Sequence, residues 1–167
     1  RTSTGKYLLD YRGLREGFAH CEDRVERLRQ FRWERLGKII AGETTVTLHN
    51  APKTILHVFP LSPSDPSNRI SLTSLNNQRF SPRPFSYGSM GLKYNFDGIY
   101  TYSGKDRDWK TEGYFQVFRN GYVEVVGTNL TSIEKHQGHE KQGYIPISYF
   151  EEQIINVLSD VKKLYEL

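Results

Sequence analysis

Between Tyr94 and Val126 the chain carries two runs that little but a β-sheet can accommodate. The first is Tyr94-Asn95-Phe96-Asp97-Gly98-Ile99-Tyr100-Thr101-Tyr102. The second runs from Gly113-Tyr114-Phe115-Gln116-Val117-Phe118 through Arg119-Asn120-Gly121 to Tyr122-Val123-Glu124-Val125-Val126. Aromatic and β-branched side chains fit a pleated, half-buried surface. Asn120-Gly121 between two such runs predicts a tight hairpin in which both turn residues take positive φ. Three consecutive antiparallel strands follow from this, with helices expected over one face of their sheet.

Helical periodicity brackets the strands. Asp10 suits an N-cap, and Leu14, Phe18, Cys21, Val25 and Leu28 step by alternate fours and threes into one apolar seam. The pattern continues through Phe31, Leu36, Ile39 and Ile40 to Gly42, a left-handed stop, so a long helix is predicted over 10–42. Phe31 and Trp33 point to different sides, which calls for burial on more than one face through self-association or a neighbouring domain. Near the other end, Ser148 and Glu151 form a capping box. Ile154, Ile155, Leu158, Val161 and Leu164 then make one apolar face, predicting a helix over 148–166. Thr45–His49 and Lys53–Pro60 read as strands joined by the turn Asn50-Ala51-Pro52, a candidate hairpin. The fold class is therefore α+β: one antiparallel sheet of about five or six strands over 45–127, with a long N-terminal helix and a C-terminal helix.

Charge is unevenly placed. Residues 1–42 hold ten Lys/Arg and six Asp/Glu, a balance of +4, whereas residues 43–167 hold thirteen of each. Arg24, Arg27, Arg29, Arg32 and Arg35 line the first helix and can meet phosphate or an acidic partner; a solvated helix face is the plainer meaning. Residues 61–91 form a Pro-rich insert; its Arg79 and Arg83, with Lys93 just beyond it, mix with Phe80, Phe85 and Tyr87. Cations beside aromatic planes suit a nucleotide or a single strand of nucleic acid. The binding candidates are thus Arg24, Arg27, Arg32, Arg35, Arg79, Arg83 and Tyr87.

Other chemistries lack a signature. His57 has no partner close in sequence and reads as a satisfied sheet histidine. His136 and His139 could share an ion, but a site needs further ligands; no metal, cofactor or catalytic residue is expected. No phosphate loop or dinucleotide fingerprint is present. No apolar run approaches the roughly 18 residues of a membrane span. The single cysteine, Cys21, excludes an internal disulfide and suits a reducing cytoplasm.

Several stretches together resemble a known arrangement. They are Arg1-Thr2-Ser3-Thr4-Gly5-Lys6-Tyr7-Leu8-Leu9-Asp10, Phe31-Arg32-Trp33-Glu34-Arg35-Leu36, Ile40-Ala41-Gly42-Glu43, Leu56-His57-Val58-Phe59-Pro60-Leu61, Tyr94-Asn95-Phe96-Asp97-Gly98 and Phe118-Arg119-Asn120-Gly121. These resemble the C-terminal half of bacterial proteins that open with a Schlafen-type AlbA_2 domain, often described as DNA-binding or ATP-binding. Residues 1–9 are similar to the tail end of that domain, which implies a longer parent chain and a single module over 10–167. The resemblance implies no active-site residue. It implies DNA or RNA as a partner through the parent protein, in transcriptional regulation or phage defence. The expected function is a non-enzymatic accessory module that self-associates through its N-terminal helix, with no membrane partner. The alternative is a small-molecule or nucleotide sensor with a pocket between the sheet and the 61–91 insert.

Overall fold

A computed structural model describes residues 11–60, 75, 80–86, 88, 90–134 and 142–166. The chain divides into two compact units, Arg1–Glu43 and Thr44–Leu167. The first contains α1, Tyr11–Ile40. Its end is a Schellman stop: the Glu43 N–H donates to the Lys38 carbonyl (2.8 Å), the Gly42 N–H to that of Ile39 (3.2 Å), and Gly42 sits at φ +81°. The shielded stripe runs through Arg24, Leu28, Phe31, Arg35 and Ile39. Of the expected seam, Leu28, Phe31, Leu36 and Ile39 are shielded while Val25 is about half exposed; the side chains of Leu14, Phe18 and Cys21 lie outside the described residues. Trp33 and Ile40 are exposed as well, so Phe31 and Trp33 do face different surroundings.

The second unit is built on a five-stranded antiparallel sheet in the order β1-β5-β4-β3-β2. The strands are β1 (Thr54–Val58), β2 (Met90–Tyr94), β3 (Gly98–Tyr102), β4 (Gly113–Phe118) and β5 (Val123–Gly127). The three central strands form as expected, but three local expectations are corrected. First, Thr45–His49 does not pair with β1. It runs beside Thr111, whose N–H donates to Thr47 O (2.9 Å) and whose carbonyl accepts from His49 N (3.2 Å). β1 pairs instead with β5, from Thr54↔Gly127 to Val58↔Val123. Second, the run Tyr94–Tyr102 is broken by a turn. Asn95 Oδ1 accepts from Gly98 N (2.8 Å) and folds β2 back onto β3. Third, the β4–β5 connection is the three-residue loop Arg119-Asn120-Gly121, closed by Phe118 N to Tyr122 O (2.8 Å) and Gly121 N to Phe118 O (2.9 Å). Only Gly121 takes positive φ (+82°), while Asn120 uses its side chain to accept from Tyr122 N (3.1 Å). A type I turn with a following left-handed glycine serves where two left-handed residues were expected.

Side chains alternate across a strand. One face of the sheet carries Leu56, Val58, Ile99, Phe115, Val117, Val123 and Val125. It packs with Leu75 and Phe85 of the insert and with Val157, Val161 and Leu164 of the C-terminal helix, α2 (Ile147–Tyr165). Burying each such side chain contributes about 1.5–3 kcal/mol. Thr101 Oγ1 donates to the Pro82 carbonyl (2.6 Å), and Asn129 Nδ2 donates to the Phe85 carbonyl (2.8 Å), so the described end of the insert is stitched to the sheet.

The capping box at Ser148 and Glu151 is also corrected. α2 begins one residue earlier, with Pro146 as an extended N-cap and no side-chain cap hydrogen bond. Its buried face is Gln153, Val157, Asp160, Val161 and Leu164; Ile155 and Leu158, expected in the apolar face, are turned outward. Polar Asp160 holds an inner position because it has a partner in Arg83; Gln153 is buried too, without a hydrogen-bond partner for its amide. A short ribbon, β6 (Ser132–Glu134) with β7 (Gln142–Tyr144), completes the unit. The His136/His139 pair lies outside the described residues. Among those described, no helix is long and apolar enough to cross a membrane.

Candidate functional site

The second face of the sheet is polar and aromatic, and its register builds two connected arrays. His57 stands opposite Glu124, and Glu124 stands opposite Gln116. Glu124 is fully buried, a costly place for a carboxylate without partners. It has them: the Tyr114 hydroxyl donates to Oε1 (2.7 Å), and His57 Nε2 lies 2.9 Å from Oε2. The His57 side chain is itself only 6% exposed. Alongside, Gln116 Oε1 accepts from Asn95 Nδ2 (2.8 Å) and Thr45 Oγ1 (3.2 Å). A His–carboxylate–phenol chain is a proton-handling set in an open cleft; here it is enclosed. Its evident work is to satisfy charge inside the sheet and to hold register.

Toward β3 the same face opens. Tyr100 and Tyr102 are the register partners of Gln116 and Tyr114, and their rings lie 6.2 Å apart, tilted by 32°. Lys105 Nζ sits 5.3 Å from the Tyr102 ring centre and 5.1 Å from that of Trp109. Trp109 is 72% exposed and held at φ +62°, where a bulky L-residue is strained. The loop around it is rigidly built. Asp106 Oδ1 accepts from the backbone N–H of Asp108 (2.9 Å) and Lys110 (2.8 Å). At its base the Ser103 and Thr111 hydroxyls meet at 2.6 Å, and Ser103 Oγ accepts from Glu112 N and Gly113 N, each at 3.0 Å. Asp106 Oδ2 lies 3.5 Å from His49 Nε2. Much of that carboxylate is thus committed internally. Lys105, Arg107 and Lys110 of the loop, with Lys93 opposite Tyr100, set four cations against Asp106 and Asp108. Two tyrosine planes, a projecting indole and an intervening ammonium can stack planar rings and meet anions together.

Arg24 and Arg35 lie on the shielded stripe of α1, while Arg27 and Arg32 are exposed on it. Arg83 is tied to Asp160: its backbone N and Nε donate to Oδ2 (3.0 and 3.2 Å), and Nη2 donates to Oδ1 (3.4 Å). That contact anchors the insert to α2. Arg79 and Tyr87 lie outside the described residues. Lys93, noted with them, stands opposite Tyr100 on the aromatic face. Sequence reasoning missed Tyr102, Lys105 and Trp109 as a unit. The usable signal was an aromatic residue within a basic loop directly after an aromatic strand.

Titration offers one further detail. Burial pushes the Tyr165 phenol up to about 12, and its hydroxyl donates to the Gly121 carbonyl (2.8 Å), fastening α2 to the hairpin loop. Among the described residues no group of three or more His, Cys, Asp or Glu could hold a metal ion. No protein-family model, curated protein or solved structure matches the chain.

Proposed function

We propose that this chain is a binding module rather than an enzyme: the accessory part of a bacterial AlbA_2-type protein that works on nucleic acid, in transcriptional regulation or phage defence. The observation that supports the reading is the Tyr100–Tyr102–Lys105–Trp109 surface, its tyrosines half-buried and its indole exposed, with cations around it. Successive bases stack on aromatic planes, at about 1–3 kcal/mol each by alanine substitution, while the cations meet phosphate. Fluorescence anisotropy with labelled single-stranded oligonucleotides tests it. Binding is expected to weaken as salt rises, and Trp109→Ala is expected to lower affinity about tenfold, the equivalent of one lost stacking contact. In a Trp33→Phe background Trp109 is the sole indole, and its emission should be quenched on binding. A chain that ignores DNA and RNA at low salt defeats the proposal.

A second reading, a small-molecule or nucleotide sensor with its site between the sheet and the 61–91 insert, is favoured by Gln153. Its amide is fully buried beside the core that holds Leu75 and Phe85, and neither its oxygen nor its nitrogen has a hydrogen-bond partner. Such an amide is equipped to donate to and accept from a base edge. Gln153→Leu removes the burden of unpaired polar atoms and should stabilise the free protein by about 1–2 kcal/mol. If this reading holds, nucleotides raise the melting temperature of the wild-type chain and not that of the variant. A screen in which no nucleotide shifts the wild type counts against it.

A further inference from the structure

We infer that the outer face of α2 is the contact surface for a second copy of this chain, the two helices lying antiparallel about a two-fold axis. The inference goes beyond nucleic-acid binding and does not need it. Its basis is the stripe Glu151, Ile155, Leu158 and Lys162, spaced four, three and four residues apart. At 100° per residue all four fall within about 60° of arc, on the side of the helix away from Val157 and Leu164. Ile155 is 65% exposed and Leu158 46%, so the chain itself leaves these two branched apolar side chains open to water. Glu151 and Lys162 beside them are exposed too.

The stripe is symmetric in position and opposite in charge. Ile155 and Leu158 flank the point between Asn156 and Val157 at equal distances, and Glu151 and Lys162 lie equally far beyond them. Turned about a two-fold axis through that point, Ile155 meets Leu158 of the second copy. Glu151 meets Lys162 of that copy, and the same pair recurs on the other side. A two-fold contact must be self-complementary in this way, and an apolar centre bordered by opposite charges is how helix pairs set their orientation. A parallel arrangement would bring like charges together. Ile147 and the exposed part of the Tyr165 ring extend the stripe toward its two ends. One helix pair falls short of the roughly 1,200–2,000 Å² of a standard interface, so a dissociation constant of about 10–100 µM is expected.

The test uses sedimentation equilibrium of the full chain over a concentration series spanning that range. The wild type should pass from one chain mass to two. Glu151→Lys and Lys162→Glu are surface changes, checked for folding by circular dichroism. Each alone sets like charges together at both ends of the contact and should weaken association at least about tenfold. An equimolar mixture of the two variants restores both opposite-charge pairs, so the mixture should dimerise where neither variant does. The double variant Glu151→Lys/Lys162→Glu should dimerise like the wild type. A wild type that stays monomeric throughout overturns the inference. So does a dimer indifferent to both reversals but dissociated by Trp33→Glu, which would move the contact to α1. Oligonucleotide binding by the Glu151→Lys monomer separates this proposal from the nucleic-acid reading, since either can fail without the other.

Discussion

The two faces of the five-stranded sheet are made from the same strands and do different work. One face is almost wholly apolar, continuous with α2 and the end of the insert. The other passes from a sealed polar chain at His57, Glu124, Tyr114 and Gln116 to the half-buried Tyr100 and Tyr102 and the exposed Trp109. The apolar face holds the unit together without directional demands. The polar face gains little from burial alone and depends on each partner being in place. Its enclosed half constrains register, and its open half is available for contact.

The largest loss of stability is expected on the apolar side. Phe115→Ala leaves a void at the centre of the core and should cost about 3–5 kcal/mol in urea unfolding. If it costs no more than a surface change, the core is not where the stability resides. On the sealed side, His57→Ala removes one hydrogen bond from a buried carboxylate and should cost about 2–3 kcal/mol. Adding Glu124→Gln to that variant should recover part of the loss, because a neutral amide is cheaper to bury. A double variant worse by the sum of two independent losses would show that the two side chains do not act as a pair.

The smallest effect sharpens the link between the hairpin and α2. Tyr165→Phe deletes the hydrogen bond to Gly121 and should cost about 1 kcal/mol at neutral pH. The pH dependence has a definite sign. The folded-state phenol titrates near 12 and an unfolded one near 10, so the stabilisation is complete below pH 10. Between those values the unfolded chain releases the proton and the folded one keeps it, so stability falls as pH rises through this window. Chemical denaturation from pH 9 to 12 should show a decline that is smaller in Tyr165→Phe.

How much could be foreseen follows from how local each feature is. The strands around Tyr100, Phe115 and Val125, the stop at Gly42 and a turn at Gly121 are set by neighbours within a few residues, and all were legible. The partner of β1 was not. Thr45–His49 stood next to it in the chain, yet Val58 pairs with Val123, far along the sequence. Gln116 and Glu124 are polar residues amid apolar ones, and nothing linear connected them to each other or to His57. The same holds for α2: its periodicity placed Val161 and Leu164 on a helix without telling that Ile155 and Leu158 face outward.

Alternation, turn residues and helical period therefore sufficed for the α+β class and for most element positions, because φ/ψ preference and side-chain spacing are short-range. Which strands became neighbours, which carboxylate was sealed beside a histidine, and which aromatic rings stayed open were decided by the folded chain as a whole. Those outcomes depend on distant segments competing to bury the same surface, and no short stretch of residues contains that competition.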